Sequence, residues 1–409
     1  MSRYLPESDF KWLSSEELSD FDVSKISDES DIGYILEVDL SIPKTLHDKF
    51  SDYPLAPESM VINDSQLSPY SLQLKRELGI MSPSTKKLVP NLYDKTKYVI
   101  HYQNLKLYLS LGLKLTKIHR AISFKQSPWL APYISYNTEK RKQAKNEFEK
   151  SFYKLLNNSV FGKTMENLRN RIEVEIVNNN NRLRKLLSKP AFHALRMFGD
   201  GLAAVHTLKP KLMLNKPCYV GFSILDMSKT LMYQFHYNYI LPKYGANARL
   251  LFTDTDSLTY DIKTPDIYQD WQQDKSMFDT SDYPKTHFLK CDQNKKVLGK
   301  MKDEMAGTPI IEFVGLRPKM YSFKCSEYEK QTAKGICKTA IEKRLRHAEY
   351  RECLFKEKIL NCKMRTIRSF NHELYSVEID KIALSPFDDK RYVLDDGQIT
   401  LALGHVLIR

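Results

Sequence analysis

Short apolar runs separated by prolines and serines make up the first hundred residues of the chain. Within them, residues 33–40 alternate apolar and polar side chains, which predicts a half-buried strand. After residue 98 the pattern becomes regular and predicts a short helix near residues 104–111, followed by a strand over residues 113–124. We therefore expect an α+β chain that opens with an irregular unit.

Helical spacing dominates the middle of the sequence. Residues 137–171 contain no proline and only one glycine and open with Asn137 and Thr138, so they predict one long helix or a closely joined pair. Residues 173–217 are polar and contain four consecutive asparagines, which mark a turn or loop, and we expect a second small insertion there. Residues 222–239 return to helical spacing.

Two acidic side chains, Asp254 and Asp256, interrupt the strand-like residues 249–262. In a strand or a tight hairpin, positions i and i+2 point to the same face, so the two carboxylates converge. Converging carboxylates repel each other unless a cation lies between them, and oxygen ligands favour Mg²⁺ or Mn²⁺. Such a site suits phosphoryl transfer with two metal ions. The same residues are also ordinary choices for a polar β-turn.

A second set of candidate residues lies on the predicted long helix, within KLLNNSVFGK at residues 154–163. At about 100° per residue, one face of this helix carries Lys154, Asn158, Phe161 and Gly162. The opposite face is predicted to pack on the core and carries Phe148, Phe152, Leu155 and Leu156. A lysine and an asparagine beside a ring and a glycine could hold a nucleotide, with Arg141 and Lys150 extending the phosphate cradle. The cations are equally typical of a solvated helix face.

The charge of the chain is unevenly distributed. Residues 1–100 carry a net charge of −6, whereas the remaining 309 residues carry +19. A basic body in a chain with 24 tyrosines and 19 phenylalanines is typical of a polyanion binder, although many basic proteins bind no nucleic acid. No apolar run approaches the roughly 18–20 residues of a membrane span, so we expect no membrane partner. Six cysteines without a CxxC pair favour reduced thiols in an intracellular, reducing setting.

Three motifs in order resemble those of the family-B DNA polymerases, most closely the protein-primed branch of Polinton/Maverick elements, adenoviruses, linear plasmids and some phages. NNSVFGK is similar to the KxxxNSxYG fingers motif, with Phe161 in place of the usual tyrosine. FTDTDSLTY is similar to the DTD palm motif, and GLRPKMYSF to the KxY motif that grips primer–template DNA. The resemblance extends across the chain, including DYPLAPE, SPWLAPYI and the tail DDKRY.

The resemblance implies a right-hand polymerase with an antiparallel palm sheet, helical fingers and a thumb. In that layout residues 1–13 are a remnant of the palm, 14–112 and 173–217 are the first and second terminal-protein-region insertions, 113–172 are the fingers, 218–325 the palm, and 326–409 the thumb with extra C-terminal material. The implied partners are primer–template DNA, deoxynucleotides and a terminal priming protein, and a nuclear location is plausible by family.

The resemblance also implies roles for particular residues. Asp256 is implied as the direct metal ligand and Asp254 as its partner, with two Mg²⁺ ions as cofactor and Mn²⁺ as a substitute. The implied nucleotide-binding residues are Lys154, Asn158, Phe161, Lys150 and Arg141. The implied DNA contacts are Gly162, Lys319, Tyr321 and Lys334.

One motif of the family is missing from its expected place. Members carry an upstream palm motif, DxxxLYG, whose Asp is the other bridging metal ligand, and residues 1–13 resemble the text that follows it. Asp9, Asp20 and Asp22 are the earliest acidic alternatives, but none has the LYG context. The preceding 3′–5′ exonuclease domain is missing as well. We therefore expect either an N-terminally truncated polymerase, from a truncated gene prediction or an element remnant, or a polymerase whose missing carboxylate comes from elsewhere.

Three functions are compatible with these observations. The preferred one is a DNA-directed DNA polymerase, that is, a nucleotidyltransferase acting in DNA replication by two-metal phosphoryl transfer. The second is a catalytically inactive, DNA-binding remnant of such an enzyme. The third is a metal nuclease that uses the two aspartates, but a nuclease has no need of the KxxxNSxFG helix.

Overall fold

The fold is described from a computed structural model, for residues 1–81, 85–370 and 372–408. The first unit of the chain is built around an antiparallel sheet with strand order β1-β6-β2-β5. Its elements, in chain order, are β1 (Leu5–Trp12), α1 (Ser15–Ser19), β2 (Ile32–Ser41), α2 (His47–Phe50), β3 (Glu58–Met60), α3 (Pro69–Glu77), β4 (Lys87–Val89), β5 (Lys95–His101), α4 (Tyr102–Ser110) and β6 (Lys114–Ser127).

This sheet covers the largest apolar core of the molecule, which includes Leu36, Val38, Ile100 and Tyr108. The predicted strands at 33–40 and 113–124 are confirmed as β2 and β6, and the predicted helix at 104–111 as α4. The unit is more regular than expected because β6 lies between β1 and β2 and pairs with both. The strands of this sheet therefore come from both sides of residue 112, the position at which the predicted layout divides the first insertion from the fingers.

A pair of helices follows, α5 (Ala131–Gln143) and α6 (Glu147–Thr164). The chain breaks between them because the side chain of Asn146 caps α6 by accepting a hydrogen bond from the Glu149 N–H at 2.8 Å. Asn137, the expected cap, is instead buried within α5 and donates to Asn157 Oδ1 at 2.9 Å. The two helices are thus joined across their facing sides by an asparagine pair.

The predicted core face of α6 is wrong. Phe148 is 78% exposed, and Phe152 and Leu155 are exposed as well, while Leu156 is only half-buried. The side of α6 that meets the core instead carries Val160 and Phe161. The reason is that α5 and the long helix at Cys218–Gln234 cover the side of α6 opposite these apolar residues. They cover mainly the C-terminal half of α6, so its N-terminal half projects beyond the core.

The polar insertion forms a small unit of its own with strand order β7-β9-β8 and a core around Val177, Leu186 and Val205. Its elements are β7 (Ile172–Val177), α7 (Asn180–Leu187), β8 (Phe192–Gly199) and β9 (Leu202–Leu208). The asparagine run serves as a helix start, because Asn179 accepts hydrogen bonds from the N–H groups of Asn181 and Arg182.

The remainder of the chain alternates helices with antiparallel hairpins. The predicted helix at 222–239 is confirmed as α8 (Cys218–Gln234), which continues through a π-helical segment (Phe235–Ile240) into α9 (Leu241–Tyr244). The next elements are β10 (Ala248–Asp254), β11 (Ser257–Ile262), α10 (Ile267–Gln273), β12 (Phe278–Asp279), β13 (Met301–Lys302), β14 (Ile310–Arg317), β15 (Met320–Cys325) and β16 (Glu329–Ala333). The last are α11 (Lys338–Arg344), α12 (His347–Phe355), β17 (Leu360–Phe370), β18 (Glu373–Leu384), β19 (Arg391–Val393) and β20 (Thr400–Ala402).

The C-terminal segment returns to the first unit. The Leu92 N–H donates to the Leu403 carbonyl at 2.7 Å, and the Val406 N–H donates to His47 Nδ1 at 3.0 Å. Arg391, which is largely buried, donates to the Ser51 carbonyl at 2.6 Å. Across the described ranges, no helix combines the length and the apolar character that crossing a bilayer requires.

Candidate active site

Asp254 and Asp256 lie at the tip of the hairpin formed by β10 and β11. Asp254 ends β10 and pairs with Ser257 at the start of β11, while Thr255 and Asp256 form the two-residue turn. The Asp256 N–H donates to the Asp254 carbonyl at 2.6 Å. The Asp256 side chain is exposed and that of Asp254 is half-exposed. The carboxylates therefore stand at an open end of the hairpin, where a charged ligand can reach them.

A second hairpin, formed by β14 and β15, lies beside the first. Lys319 occupies its turn, and the Lys319 Nζ lies 3.8 Å from Asp254 Oδ1. The ring of Tyr321 on β15 contacts that of Phe252 on β10, with the centroids 4.3 Å apart. The structure thus brings the predicted carboxylates together with Lys319 and Tyr321, although the two hairpins are far apart in the sequence.

Both turns contain a non-glycine residue in the left-handed region. The φ angle is +56° at Thr255 and +62° at Lys319. L residues seldom adopt such angles, least of all β-branched ones such as threonine. Strained turns of this kind cluster at functional sites, where the strain is part of the geometry.

Lys334 lies next to the second hairpin. Its N–H donates to the Lys319 carbonyl at 3.0 Å, and its side chain is exposed. The predicted DNA contacts Lys319, Tyr321 and Lys334 therefore share one corner of the molecule.

Residues that were not predicted as site residues from the sequence hold the β10–β11 hairpin from both sides. On the β10 side, Arg249 forms an ion pair with Asp52 at 3.0 Å. On the β11 side, Tyr260 and His236 Nδ1 are hydrogen-bonded at 2.9 Å, and burial lowers the pKa of His236 to about 4. Tyr53 packs against Tyr233 of α8, with the ring centroids 4.6 Å apart, and burial raises the pKa of Tyr53. The only sequence signal for this support was the DYPLAPE segment, which contains Asp52 and Tyr53.

The predicted nucleotide-binding residues on the outer side of α6 share one face of the helix. Lys150, Lys154 and Asn158 follow each other at intervals of four, so their side chains form one row along the helix. Lys154 and Asn158 are exposed. In the ranges that the structure describes, no hydrogen bond or ion pair joins this row to Asp254 or Asp256.

Phe161 and Gly162 differ from the sequence-based expectation of one shared nucleotide-binding face. Phe161 is half-buried and packs against the core that includes Leu130 and Val220, so much of its ring is already covered by the protein. Gly162 is exposed, with open space where a side chain would project. Its predicted role as a DNA contact therefore remains sterically open.

Arg141 and Lys150 lie at the end of the α5–α6 pair that is remote from the core. Lys150 forms an ion pair with Glu147, and the hydrogen bond to Lys150 together with its charge lowers the pKa of Glu147. The Arg141 carbonyl accepts a hydrogen bond from Lys296 Nζ at 3.1 Å.

The early acidic alternatives lie in the first unit and have local partners. Asp9 forms an ion pair with Lys125 at 2.9 Å, and the hydrogen bond from Lys125 lowers the pKa of Asp9. Asp22 accepts hydrogen bonds from Ser24, which lower its pKa, and Asp20 ends α1. In the described part of the chain none of the three contacts the β10–β11 tip.

The donor chemistry of the tip fits one divalent cation. Mg²⁺ is commonly held by one or two carboxylates, with phosphate oxygens and water completing its shell. Asp254 and Asp256 offer such oxygens, whereas a second ion would need a further ligand. Among the described residues, no group of three or more histidine, cysteine, aspartate or glutamate side chains could hold a metal ion.

The comparisons with known proteins show a similarity of fold. No protein-family model matches the chain, and no curated protein matches it. Among solved structures, Phi29 DNA polymerase complexed with primer-template DNA, in a post-translocation binary complex, is similar with a TM-score of 0.50 and 12% identity, over 93% of this chain and 55% of that one. An orthorhombic crystal form of Phi29 DNA polymerase gives a TM-score of 0.51 and 13% identity, over 94% and 55%.

This mixed helix-and-sheet chain therefore has a fold similar to that of a DNA polymerase, and it spans about half the length of the solved structures that it matches.

Proposed function

We propose that this chain is the polymerase portion of a protein-primed, family-B DNA polymerase. The observation that carries the proposal is that two motifs far apart in the sequence meet in the structure. Lys319, in the strained turn between β14 and β15, lies 3.8 Å from Asp254, which is next to the strained turn between β10 and β11. The similarity of the fold to a DNA polymerase supports it.

The proposal includes a right-hand layout. The β10–β11 hairpin, the β14–β15 hairpin and α8 would form the palm, and α5 with α6 the fingers. The chain after residue 325 would contribute the thumb. The units at 14–112 and 173–217 would be the two terminal-protein-region insertions, with a terminal protein and the template strand as their partners.

The proposed reaction is nucleotidyl transfer. A primer 3′ oxygen, or a hydroxyl of the terminal protein, forms a bond to the α-phosphorus of a deoxynucleotide, the bond from that phosphorus to the bridging oxygen breaks, and pyrophosphate leaves. Asp254 and Asp256 would hold Mg²⁺ or Mn²⁺, and the metal would lower the pKa of the attacking hydroxyl and neutralise charge on the leaving oxygen.

The remaining residues of the proposal bind and orient. Lys154 neutralises the triphosphate and Asn158 contacts the nucleotide beside it. Lys319 and Tyr321 hold the primer strand close to Asp254, because their hairpin is fixed against β10 by the Phe252 contact. Gly162 and Lys334 contact the DNA on either side.

A second candidate function is a catalytically inactive DNA-binding remnant. The observation that favours it is the ligand set: in the described ranges only Asp254 and Asp256 stand at the tip, and Lys319 partly neutralises Asp254. Two ions held by two carboxylates would need an additional protein ligand, which the upstream family motif would supply.

A primer-extension assay with Mg²⁺ and deoxynucleotides tests the proposal. We expect little or no extension by the chain alone, and clear extension once an upstream segment with the DxxxLYG motif is joined to it. If neither the chain alone nor the joined chain extends a primer, while duplex binding is retained, the polymerase proposal is contradicted and the DNA-binding remnant is supported. Strand cleavage without nucleotides would indicate a nuclease.

A further inference from the structure

A loop that follows the β10–β11 hairpin reaches the outer end of the α5–α6 pair. This segment, residues 290–302, is called the lysine loop because it contains Lys290, Lys295, Lys296, Lys300 and Lys302. It contacts the helices through a hydrogen bond from Lys296 Nζ to the Arg141 carbonyl, at 3.1 Å.

The lysine loop is held in place by its own hydrogen bonds. The Lys296 N–H donates to Asp279 Oδ2 at 2.8 Å, and Asn294 Nδ2 donates to the Phe278 carbonyl at 2.8 Å. Lys296 has a φ of +53°, an angle that a residue with a side chain seldom adopts. The position of Lys296 is therefore set by the structure around it.

Positive charge accumulates where the loop meets the helices. The pKa of Lys296 is lowered, first by burial and then by the charges of Arg141, Lys295 and Lys150. Lys150 is paired with Glu147, but within the described structure the buried Nε of Arg141 has no hydrogen-bond partner. The charge of this cluster, which comprises Arg141, Lys150, Lys295 and Lys296, is partly offset by Glu147 and Asp282, but the Nε–H of Arg141 is a donor that the described protein does not satisfy.

A lysine at a helix C-terminus is favourable in itself, because its charge opposes the negative end of the helix dipole. That effect explains the bond from Lys296 to the Arg141 carbonyl, but it does not explain why Arg141 and Lys150 converge on the same place. Converging cations repel one another, and a bound anion removes that cost. Lys150 also begins the row that continues through Lys154 and Asn158.

We propose that Lys296, with Arg141 and Lys150, forms a polyphosphate-binding site, and that Lys296 is a nucleotide-binding residue contributed from outside the fingers. This inference rests on the proposed function, because it takes the triphosphate of an incoming deoxynucleotide, or the pyrophosphate that leaves, as the anion. The lysine loop follows the β10–β11 hairpin in the sequence and contacts the helix pair through the Arg141 carbonyl, so it supplies Lys296 to the helices from a separate part of the chain.

The test is equilibrium binding of inorganic tripolyphosphate to the full chain by isothermal titration calorimetry. We expect Lys296→Gln to weaken binding by about tenfold, since a charged hydrogen bond is lost. Lys300→Gln, which removes the same charge from an exposed position on the same loop, should change binding by less than about twofold. Equal losses in both variants would overturn the proposal, because they would indicate general surface charge.

Two further measurements make the result decisive. If Lys296→Gln does not fold, the wild-type chain is treated with an amine-acylating reagent, and mass spectrometry should show that tripolyphosphate protects Lys296 but not Lys300; no protection would overturn the site. Duplex DNA binding, measured by fluorescence anisotropy, should be nearly unchanged in Lys296→Gln, and a loss as large as that for tripolyphosphate would assign the cluster to the DNA backbone instead.

These binding measurements require no catalysis. Primer extension that fails even when a segment with the DxxxLYG motif is joined to the chain, together with Lys296-dependent tripolyphosphate binding, would contradict the proposed function while leaving the anion site standing. Pyrophosphate and a deoxynucleoside triphosphate, titrated separately, distinguish the two sources of the anion.

Discussion

Asp256 is an exposed side chain in a two-residue turn, so its charge contributes little to folding and is available to a ligand. Because it is exposed, its carboxylate is placed to bind a ligand rather than to pack against the protein. Asp254, by contrast, ends a strand and already has the Lys319 ammonium 3.8 Å away. We therefore expect replacement of Asp254 and replacement of Asp256 to change the free energy of unfolding by different amounts.

We predict that Asp256→Asn lowers nucleotide incorporation by about a hundredfold or more, because the amide cannot neutralise a divalent cation. The free energy of unfolding should change by less than about 0.5 kcal/mol, as is usual for surface positions. Rates are measured by primer extension in the chain joined to its upstream segment, and stability by urea denaturation.

The matched control for this change is Asp261→Asn, which removes a charge from an exposed position on β11 of the same hairpin. It should leave incorporation within about twofold of the unaltered chain. Turnover retained in Asp256→Asn would remove Asp256 from the metal site.

At the scale of elements, the two hairpins form one unit. The Phe252 and Tyr321 rings are in contact, and Phe313 on β14 stacks on Tyr321 with the centroids 6.0 Å apart. Because of this packing, the turn that contains Lys319 cannot move freely relative to Asp254.

We predict that Lys319→Gln weakens binding of a primer–template duplex by about fivefold at low salt, because a phosphate contact is lost. The ring packing beneath it is untouched, so thermal stability should be preserved. Fluorescence anisotropy over a range of salt concentrations measures the effect, and the salt dependence should become shallower in the variant.

Lys324→Gln serves as the matched control, since Lys324 is exposed on β15, the strand that follows the turn. If both variants bind DNA equally weakly, the assignment of Lys319 as a specific DNA contact is wrong.

The elements themselves were largely predictable, but their contacts were not. The alternation around Asp254 predicted the hairpin because strand and turn propensities are local properties of the sequence. The proximity of Lys319 to Asp254 depends on aromatic packing between segments that are distant in the sequence. Only the family resemblance therefore indicated that these two residues lie close together. On α6, helical spacing correctly grouped Phe148, Phe152 and Leu155 on one face, but it could not tell that α5 would cover the other face.

At the scale of the whole molecule, the unit formed by β7–β9 and α7 touches the long β17–β18 hairpin. His206 on β9 and His372 face each other with 2.8 Å between their Nε2 atoms, and Arg196 on β8 forms an ion pair with Glu373 at 2.9 Å. The pKa of His206 is lowered by burial, by His372 and by His193. Neutral imidazoles favour this contact, because one ring can donate the hydrogen bond that the other accepts.

We predict that this contact loosens on acidification. The folded contact disfavours protonation of His206, whereas a free histidine protonates near pH 6.5, so the contact is at full strength above that pH and weakens as the pH falls below it. Hydrogen–deuterium exchange of the β9 and β17–β18 amides, corrected for intrinsic rates, should be faster at pH 5.5 than at pH 7.5.

His206→Gln should remove this pH response, whereas His193→Gln should largely preserve it, because His193 contributes only the smallest of the three effects. Exchange that is insensitive to pH in the unaltered chain would contradict the prediction.

The hydrogen bonds from Leu92, Val406 and Arg391 to their distant partners also impose an order on synthesis. While the nascent chain is still on the ribosome, the first unit lacks the strap that residues 391–406 will later provide. Its sheet can form early, but the loop that contains Ser51 and supports the β10–β11 hairpin through Asp52 stays without its final anchor until residues 391–406 have been made. The support of the β10–β11 hairpin would therefore be completed later than the strands of the hairpin themselves.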